Sequence, residues 1–405
     1  MKFPIEDFEF EYTPTSVVYG RSKINQIYDK IEELNKNNAL IVCGSNVGNN
    51  SETMEPIKSG LGDKLTAIFD KTTPEKYLNT VLDGVDKMHE ENIDIVICVG
   101  GGSSLNVGRA MCSVAPLELD RENIENEVIE TRKIPRPDDS SRVVPNIVIP
   151  TTLTGADISH TGSIFVDSDE NSPNDMSSNR FDAQMYHRSL MPTHVIYDPE
   201  LFETTPTTPL VGSIMNGFNK GIETLYSQST TPIANAHSIQ GLKYYMTGLN
   251  YMDNSVFEAS VVDNITLGNV LVQYGRQSNI IHAFANGLAY HYDVQQGVAH
   301  AIVTPQVLNF VFEKSHANRD QIAEALLIDT RGLDDSEIGK KIIDTIIQIR
   351  NNLDLTSRLR DVDGIKKGHF NSIAKEIKSS DKINRNPQDI TLNEDEIIRI
   401  LEKSW

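Results

Sequence analysis

The stretch IVICVGGGSSLNVGRAMC, residues 95–112, contains the strongest structural signal in this chain. It begins with an unbroken apolar run, Ile95–Val99, which is typical of a strand buried on both faces of a parallel sheet. Three glycines at 100–102 then let the backbone turn tightly and approach a ligand closely. A helical pattern follows from about Leu105, after two serines of the kind that favour helix N-termini.

This order of strand, glycine turn and helix start predicts a phosphate-binding site. The free N–H groups of a helix N-terminus and the helix dipole both favour a bound anion. The alternative is a tight strand–helix turn that binds nothing, and a glycine-rich turn alone does not separate the two.

Strand and helix patterns alternate on both sides of this stretch. Strands are predicted at 16–20, 39–43, 66–69, 93–99, 146–149, 163–166 and 194–197, and helices at 24–34, 52–61 and 74–88. Residues 117–142 are charged and predict a surface excursion, and 167–182 predict a polar loop. The alternation predicts an α/β domain with a doubly wound, Rossmann-like parallel sheet.

The sequence pattern changes after residue 200, since the stretch from Pro209 to Trp405 has helical periodicity and few strand signals. We therefore expect an α/β dinucleotide-binding domain at 1–199 and an all-helical domain at 200–405 that completes an active-site cleft. Ligands of open α/β sheets bind beyond the carboxyl ends of the strands. The glycine turn and a second, hydroxyl-rich turn at 151–155 should therefore face that cleft.

Composition narrows the function classes. The formal net charge of −20 over 405 residues disfavours nucleic acid and anionic membranes as partners. It fits a salt-rich cytoplasm or an ordinary acidic protein equally well. The three cysteines have no metal-ligand spacing, and the acidic N-terminus lacks the apolar core of a signal peptide, so a cytoplasmic location is expected.

Several motifs in one order resemble the iron-dependent (group III) alcohol dehydrogenase superfamily. They are GGGSSLNVGRAM at 100–111, PTTLTG at 150–155, NGFNKGIETLYS at 216–227 and HAFANGLAYHYDVQQGVAHAIVTP at 282–305. The resemblance covers nearly the whole chain and implies the dehydroquinate synthase-like architecture of two domains. It also implies hydride transfer between NAD(P)H and a small carbonyl compound, in a homodimer that forms through the N-terminal domain.

The chain departs from this family at its metal ligands. The family uses an Asp and a His four residues apart, then two later His residues; the matching positions here are Asn216, Lys220, His282 and Gln296. The family has a further active-site His, and the matching position in this chain is Asn286. Amides and an ammonium are poor ligands for Zn²⁺ or Fe²⁺, so the sequence predicts an enzyme that works without a metal. The maleylacetate reductase branch is partly similar, although its histidines are not matched either.

The resemblance places three candidate catalytic residues in this region. Lys220 would stabilise negative charge on the substrate oxygen in place of a metal. His282 would be a second donor or a proton relay, and Asn216 would orient Lys220 from one turn away on the same helix face.

A larger set of residues is predicted to bind the nucleotide. Gly44 stands where NAD-specific relatives carry an acid, so NADP(H) is expected to be favoured over NAD(H). Asn106 and Arg109 stand where the family has Asp and Lys, and Arg109 is either a solvated helix residue or a phosphate contact. The predicted cofactor-binding residues are Gly44, Ser45, Asn46, Gly100, Gly101, Gly102, Ser103, Ser104, Asn106, Thr151, Thr152 and Thr154.

The leading hypothesis is a metal-independent, NAD(P)H-dependent oxidoreductase that acts on a small carbonyl compound or its alcohol. One alternative is a polyol- or glycerol-phosphate dehydrogenase-like or maleylacetate reductase-like enzyme. Another is a catalytically inactive nucleotide-binding protein. Retention of both turns together with Lys220 and His282 argues against the last.

Overall fold

The structure is a computed structural model that describes residues 7–167, 181–250, 257–292, 294–387 and 389–405. Most of the predicted polar loop at 167–182 lies outside the described residues. The chain forms two compact units. One comprises residues 13–205, and the other comprises residues 206–405 together with the N-terminal segment up to Tyr12.

The first unit contains all eight described strands and seven helices. The strands are β1 Ser16–Tyr19, β2 Ala39–Gly44, β3 Leu65–Thr72, β4 Ile95–Gly100, β5 Asn146–Pro150, β6 Thr161–Val166, β7 Phe181–Tyr186 and β8 His194–Tyr197. The helices are α1 Ile27–Glu33, α2 Ser45–Gly48, α3 Ser51–Leu61, α4 Leu78–Glu90, α5 Gly102–Val114, α6 Arg121–Thr131 and α7 Pro199–Glu203.

Six of these strands form one parallel sheet in the order β1-β8-β5-β4-β2-β3. Every residue of β4 is buried, as expected for a central strand with helices on both faces. Gly100 at the end of β4 pairs with Pro150 at the end of β5. The two predicted binding turns therefore leave neighbouring strands at the same edge of the sheet. The predicted doubly wound parallel sheet is confirmed.

Two elements of this unit differ from the sequence-based expectation. The charged excursion at 117–142 contains the helix α6, which is capped by the Asp120 side chain and buries only Ile124 and Val128. Its thin apolar stripe explains why helical periodicity did not reveal it. The strand β6 does not join the main sheet but pairs antiparallel with β7 in a two-stranded ribbon, and β7 was not predicted.

The second unit is helical, which confirms the other half of the predicted fold class. Its helices are α8 Thr207–Tyr226, α9 Pro232–Asn250, α10 Ala259–Val272, α11 Ile280–His291, α12 Gln296–Lys314, α13 Arg319–Ala325, α14 Asp335–Asn352, α15 Phe370–Ser379 and α16 Glu394–Lys403. A short 3-10 helix, Asp381–Arg385, precedes α16. None of the described helices is long and apolar enough to cross a membrane.

The helix α8 is the centre of this unit, since every residue from Leu210 to Tyr226 is buried. Its backbone touches that of α12 at two glycines. A methyl group added to Gly297 would overlap the carbonyl of Gly212, so the glycine pair is required by the close approach of the two backbones. This contact brings the side chains that follow Gly212 on α8 close to those of α12.

Candidate active site

The glycine turn has the geometry expected of an anion site. Gly100 ends β4 with a φ of +122°, a conformation that favours glycine, and α5 begins two residues later at Gly102. Thr151 N donates to the carbonyl of Gly100 at 3.1 Å and ties the second turn to the first. The 13-residue helix α5 thus presents its unsatisfied N–H groups at the sheet edge where both turns emerge.

The hydroxyl-rich turn packs directly on these glycines. A Cβ on Gly101 would lie 3.3 Å from Thr152 Oγ1, and one on Gly102 would lie 3.5 Å from Thr154 Oγ1. The Thr152 hydroxyl is buried and has no hydrogen-bond partner among the described residues. The structure therefore brings the predicted glycines and threonines together, with at least one buried hydroxyl in position to bind a ligand.

The serines of the glycine turn are engaged within the protein. Ser104 Oγ lies 2.6 Å from Thr72 Oγ1, and Ser103 Oγ donates to the carbonyl of Pro74 at 3.1 Å. These hydroxyls hold α5 against β3 and the loop that follows it. The backbone N–H groups and the threonine hydroxyls are consequently the better candidates for phosphate contacts.

Arg109 is neither a solvated residue nor a phosphate contact. Its side chain is fully buried on α5. It donates to Asn106 Oδ1 at 3.1 Å, to the carbonyl of Ala156 at 2.8 Å and to that of Thr161 at 3.4 Å. Arg109 therefore fixes the segment that follows the hydroxyl-rich turn, and the predicted residue Asn106 supports it.

Gly44 and its neighbours lie at the end of β2. Ser45 and Asn46 are exposed in the short helix α2. A Cβ on Gly44 would lie 3.1 Å from the backbone carbonyl of Thr72. The close approach of β3 is therefore sufficient reason for glycine at this position.

In the helical unit, an amide chain connects three of the positions singled out by the sequence. Asn216 Nδ2 on α8 donates to Gln296 Oε1 on α12 at 3.2 Å. Gln296 Nε2 lies 2.6 Å from the side-chain amide of Asn286 on α11. Asn216 Oδ1 is buried and has no hydrogen-bond partner among the described residues. Asn216 Oδ1 is therefore positioned to accept a hydrogen bond from a ligand.

His282 is held by the carboxylate of Glu223, which was not among the predicted site residues. Glu223 is completely buried and accepts from the backbone N of His282 at 3.1 Å and from its Nδ1. When Glu223 is ionised, this bond selects the tautomer protonated on Nδ1, so Nε2 carries the lone pair. Nε2 is buried and has no partner in the described part of the chain. Its fixed, open nitrogen makes His282 a candidate proton acceptor.

Burial dominates the electrostatics of this pair. It raises the pKa of Glu223 to about 7, against the lowering effect of His300 and of several backbone N–H groups. Burial also lowers the pKa of His282 well below its ordinary value, and the charge of Lys220 lowers it further. Lys220 is itself only 7 % exposed on α8. The imidazole therefore remains neutral beside a nearby ammonium.

A second imidazole, His300, completes the cluster and was not among the predicted site residues. Its ring packs edge-on against His282 with centroids 4.4 Å apart. Its Nδ1 lies 3.2 Å from Asn219 Nδ2, which also donates to Thr304 at 2.8 Å. The sequence signal for this contact was its position on α12, four residues after Gln296 and hence on the same helix face.

The predicted metal positions do not form a conventional metal site. Asn216, Lys220, His282 and Gln296 supply two amides, one ammonium and one imidazole, a poor donor set for a divalent transition metal. Across the described ranges, no group of three or more His, Cys, Asp or Glu side chains could hold a metal ion. The residues present therefore do not fit a divalent transition metal.

Comparison with known proteins gives matches over nearly the entire chain. Residues 14–199 match the family described as iron-containing alcohol dehydrogenase, and residues 210–405 match the C-terminal domain of the Fe-containing alcohol dehydrogenase family. The NAD-dependent methanol dehydrogenase of Bacillus methanolicus is 25% identical over 90% of this chain and 92% of its own length. The NADH-dependent butanol dehydrogenase B of Clostridium acetobutylicum is 24% identical, covering 98% and 99%.

Solved structures show the same fold. A 1,3-propanediol oxidoreductase superposes with a TM-score of 0.83 at 20% identity, covering 98% of this chain and all of the other. A maleylacetate reductase from Agrobacterium tumefaciens superposes with a TM-score of 0.75 at 17% identity, covering 99% of each chain.

These comparisons contradict the cofactor prediction. The prediction that NADP(H) is favoured over NAD(H), and that no metal is used, was wrong. The matched family is iron-containing, and the two dehydrogenases above are named for NAD or NADH. The nucleotide preference rested on Gly44, whose glycine is accounted for by the backbone of β3. The prediction that no metal is used rested on four side chains alone, whereas the family match extends over both units. The chain belongs to the iron-containing alcohol dehydrogenase family.

Proposed function

We propose that the protein is an NAD(H)-dependent oxidoreductase that interconverts a small carbonyl compound and its alcohol by hydride transfer. Family membership supports the reaction class, and relatives named as methanol, butanol and 1,3-propanediol dehydrogenases support a small substrate. The observation that carries the proposal is the buried cluster of Asn216, Lys220 and His282 in the helical unit, with open polar atoms on two of its members.

The α/β unit supplies the nucleotide site in this proposal. The turn Gly100–Ser104 and the N–H groups at the start of α5 would hold the pyrophosphate. Thr151, Thr152 and Thr154 would contact the phosphates or the nicotinamide ribose. The open hydroxyl of Thr152 and the packing of the hydroxyl-rich turn on Gly101 and Gly102 support this arrangement.

The helical unit supplies the chemistry at the substrate oxygen. A bound nicotinamide would supply the hydride acceptor for alcohol oxidation, and His282 Nε2 would take the proton of the substrate hydroxyl. The bond from Nδ1 to Glu223 keeps Nε2 in its acceptor form. The Lys220 ammonium stabilises the negative charge that develops on oxygen. Carbonyl reduction reverses each transfer.

A lysine substitution tests the proposal. Lys220→Met should bind NADH normally, because the nucleotide site is in the other unit, and should lose about a hundredfold or more in kcat. Lys340→Met removes an exposed lysine of α14 and is the matched control. NADH fluorescence titration and turnover over a panel of aldehydes are the measurements. Near-native kcat in Lys220→Met would remove this lysine from the mechanism. NADH binding by the native protein without any turnover would instead identify an inactive nucleotide-binding protein.

A further inference from the structure

The neighbours of His300 determine which of its ring nitrogens carries the proton. Thr304 donates its only hydroxyl proton to the carbonyl of His300 at 2.6 Å. Its oxygen can therefore only accept from the amide of Asn219, so the Asn219 atom that lies 2.8 Å away is the nitrogen. The same nitrogen lies 3.2 Å from His300 Nδ1. Because an amide nitrogen donates and does not accept, Nδ1 is unprotonated and the ring proton is on Nε2.

The Nε2–H group of His300 is left open. The residue is completely buried, and Nε2 meets no hydrogen-bond partner in the described part of the chain. Burial also lowers the pKa of the ring well below its ordinary value, which agrees with a neutral imidazole. Buried polar groups almost always have a partner, which is protein, ordered water or a ligand. The open donor therefore indicates that a further atom binds here.

His282 presents the complementary group. With Glu223 ionised, His282 Nε2 carries a lone pair that is buried and has no partner among the described residues. The rings of His282 and His300 are in edge-on contact, with centroids 4.4 Å apart. One donor and one acceptor are thus left open on two touching rings. A hydroxyl oxygen can accept one bond and donate another, whereas a carbonyl oxygen can only accept.

We propose that His300 is a further catalytic residue, whose Nε2–H donates to the hydroxyl oxygen of the substrate alcohol while His282 Nε2 accepts the proton of the same hydroxyl. This inference rests on the proposed function and adds a second imidazole to it. An ordered water shares the chemistry of a hydroxyl, and the tests below distinguish the two.

The two imidazoles have separate tasks in this arrangement. The O–H bond breaks as its proton passes to His282, and its electron pair forms the second carbon–oxygen bond as the carbon gives up its hydride to a bound nicotinamide. His300 keeps its proton throughout and stabilises the negative charge that develops on oxygen. Glu223 positions the base, and Asn219 positions the donor.

Replacement of His300 tests the donor. His300→Leu removes both ring nitrogens, so kcat should fall by about a hundredfold or more while NADH affinity stays native. His300→Gln supplies an amide N–H in place of Nε2–H and should stay within about tenfold of native kcat. The control His316→Leu removes an exposed imidazole and should leave kcat unchanged. Near-native kcat in His300→Leu would overturn the inference, identify the bound group as water and leave the proposed function intact.

Nitrogen NMR of protein that contains isotopically labelled histidine measures the tautomer directly. The signals of His300, assigned by their loss in His300→Gln, should show a protonated Nε2 and an unprotonated Nδ1. Asn219→Asp replaces the donating amide by a carboxylate that accepts from Nδ1, so the proton should move to Nδ1 and kcat should fall as in His300→Leu. A native His300 that is protonated on Nδ1 would overturn the inference.

A tertiary alcohol keeps the inference testable if no substrate is turned over. The probe is tert-butanol, which has a hydroxyl group but no hydrogen on its carbinol carbon and so cannot be oxidised. Added to protein saturated with NAD⁺, it should shift the Nε2 signals of His282 and His300 and leave those of the exposed His316 unchanged. These shifts without any turnover of alcohols or aldehydes would refute the proposed function alone. Signals of His300 that do not move would refute the inference.

Discussion

At the scale of single residues, Glu223 has the largest expected effect on stability. Its buried carboxylate accepts from two groups of His282, so removing it leaves buried donors unsatisfied. Glu223→Ala should lower the free energy of unfolding by about 1–3 kcal/mol for each buried donor left unsatisfied, and should reduce kcat. Urea unfolding is the measurement. The control Glu337→Ala removes an exposed carboxylate that caps the helix α14, and it should lower the free energy of unfolding far less. Equal losses would contradict this account.

His194 should make stability depend on pH. It lies buried in β8, and burial lowers its pKa below the ordinary value of 6.5. Below about pH 6.5 the unfolded chain therefore binds this proton more readily than the folded protein, and the free energy of unfolding falls as pH decreases. The fall between about pH 7.5 and pH 5.5 should be smaller in His194→Gln than in the native protein. The exposed control His316→Gln should keep the native slope, and a native slope in both variants would exclude His194.

At the scale of elements, the glycine turn makes the sharpest prediction. A larger side chain at Gly102 would press on Ala156, whose Cβ lies 3.3 Å from the position of an added Cβ. It would also occupy the space in front of the α5 N-terminus. Gly102→Val should therefore abolish NADH binding in a fluorescence titration. Gly368→Val is the control, because nothing lies within 4 Å of that position. Unchanged NADH affinity in Gly102→Val would place the nucleotide elsewhere.

Some elements of the fold could be predicted from the sequence, and others could not. A buried parallel strand such as β4 is one long apolar run, so Ile95–Val99 and the turn after it were readable directly. The helix α6 was not, because only two of its residues face the core. The contacts of Glu223 and Arg109 were also hidden. Both are charged residues buried by partners distant in sequence, and periodicity carries no information about such partners.

At the scale of the whole molecule, the net charge of −20 should couple stability to ionic strength. Like charges on one chain repel, and salt screens that repulsion over a Debye length of about 10 Å at 0.1 M. The midpoint of thermal unfolding should rise as NaCl is added, with most of the rise below about 0.2 M. A rise confined to molar salt would indicate exclusion of salt from the protein surface instead.

Side chains usually determine both the spacing of two helices and the chemistry between them. The touching backbones of Gly212 and Gly297 separate these two properties. Helix spacing is ordinarily set by the side chains between the helices, so changing them moves the helices. Here main-chain contact sets the distance between α8 and α12. We therefore expect substitutions at 216, 220 and 296 to change the side-chain chemistry more than the spacing of the two helices at this contact.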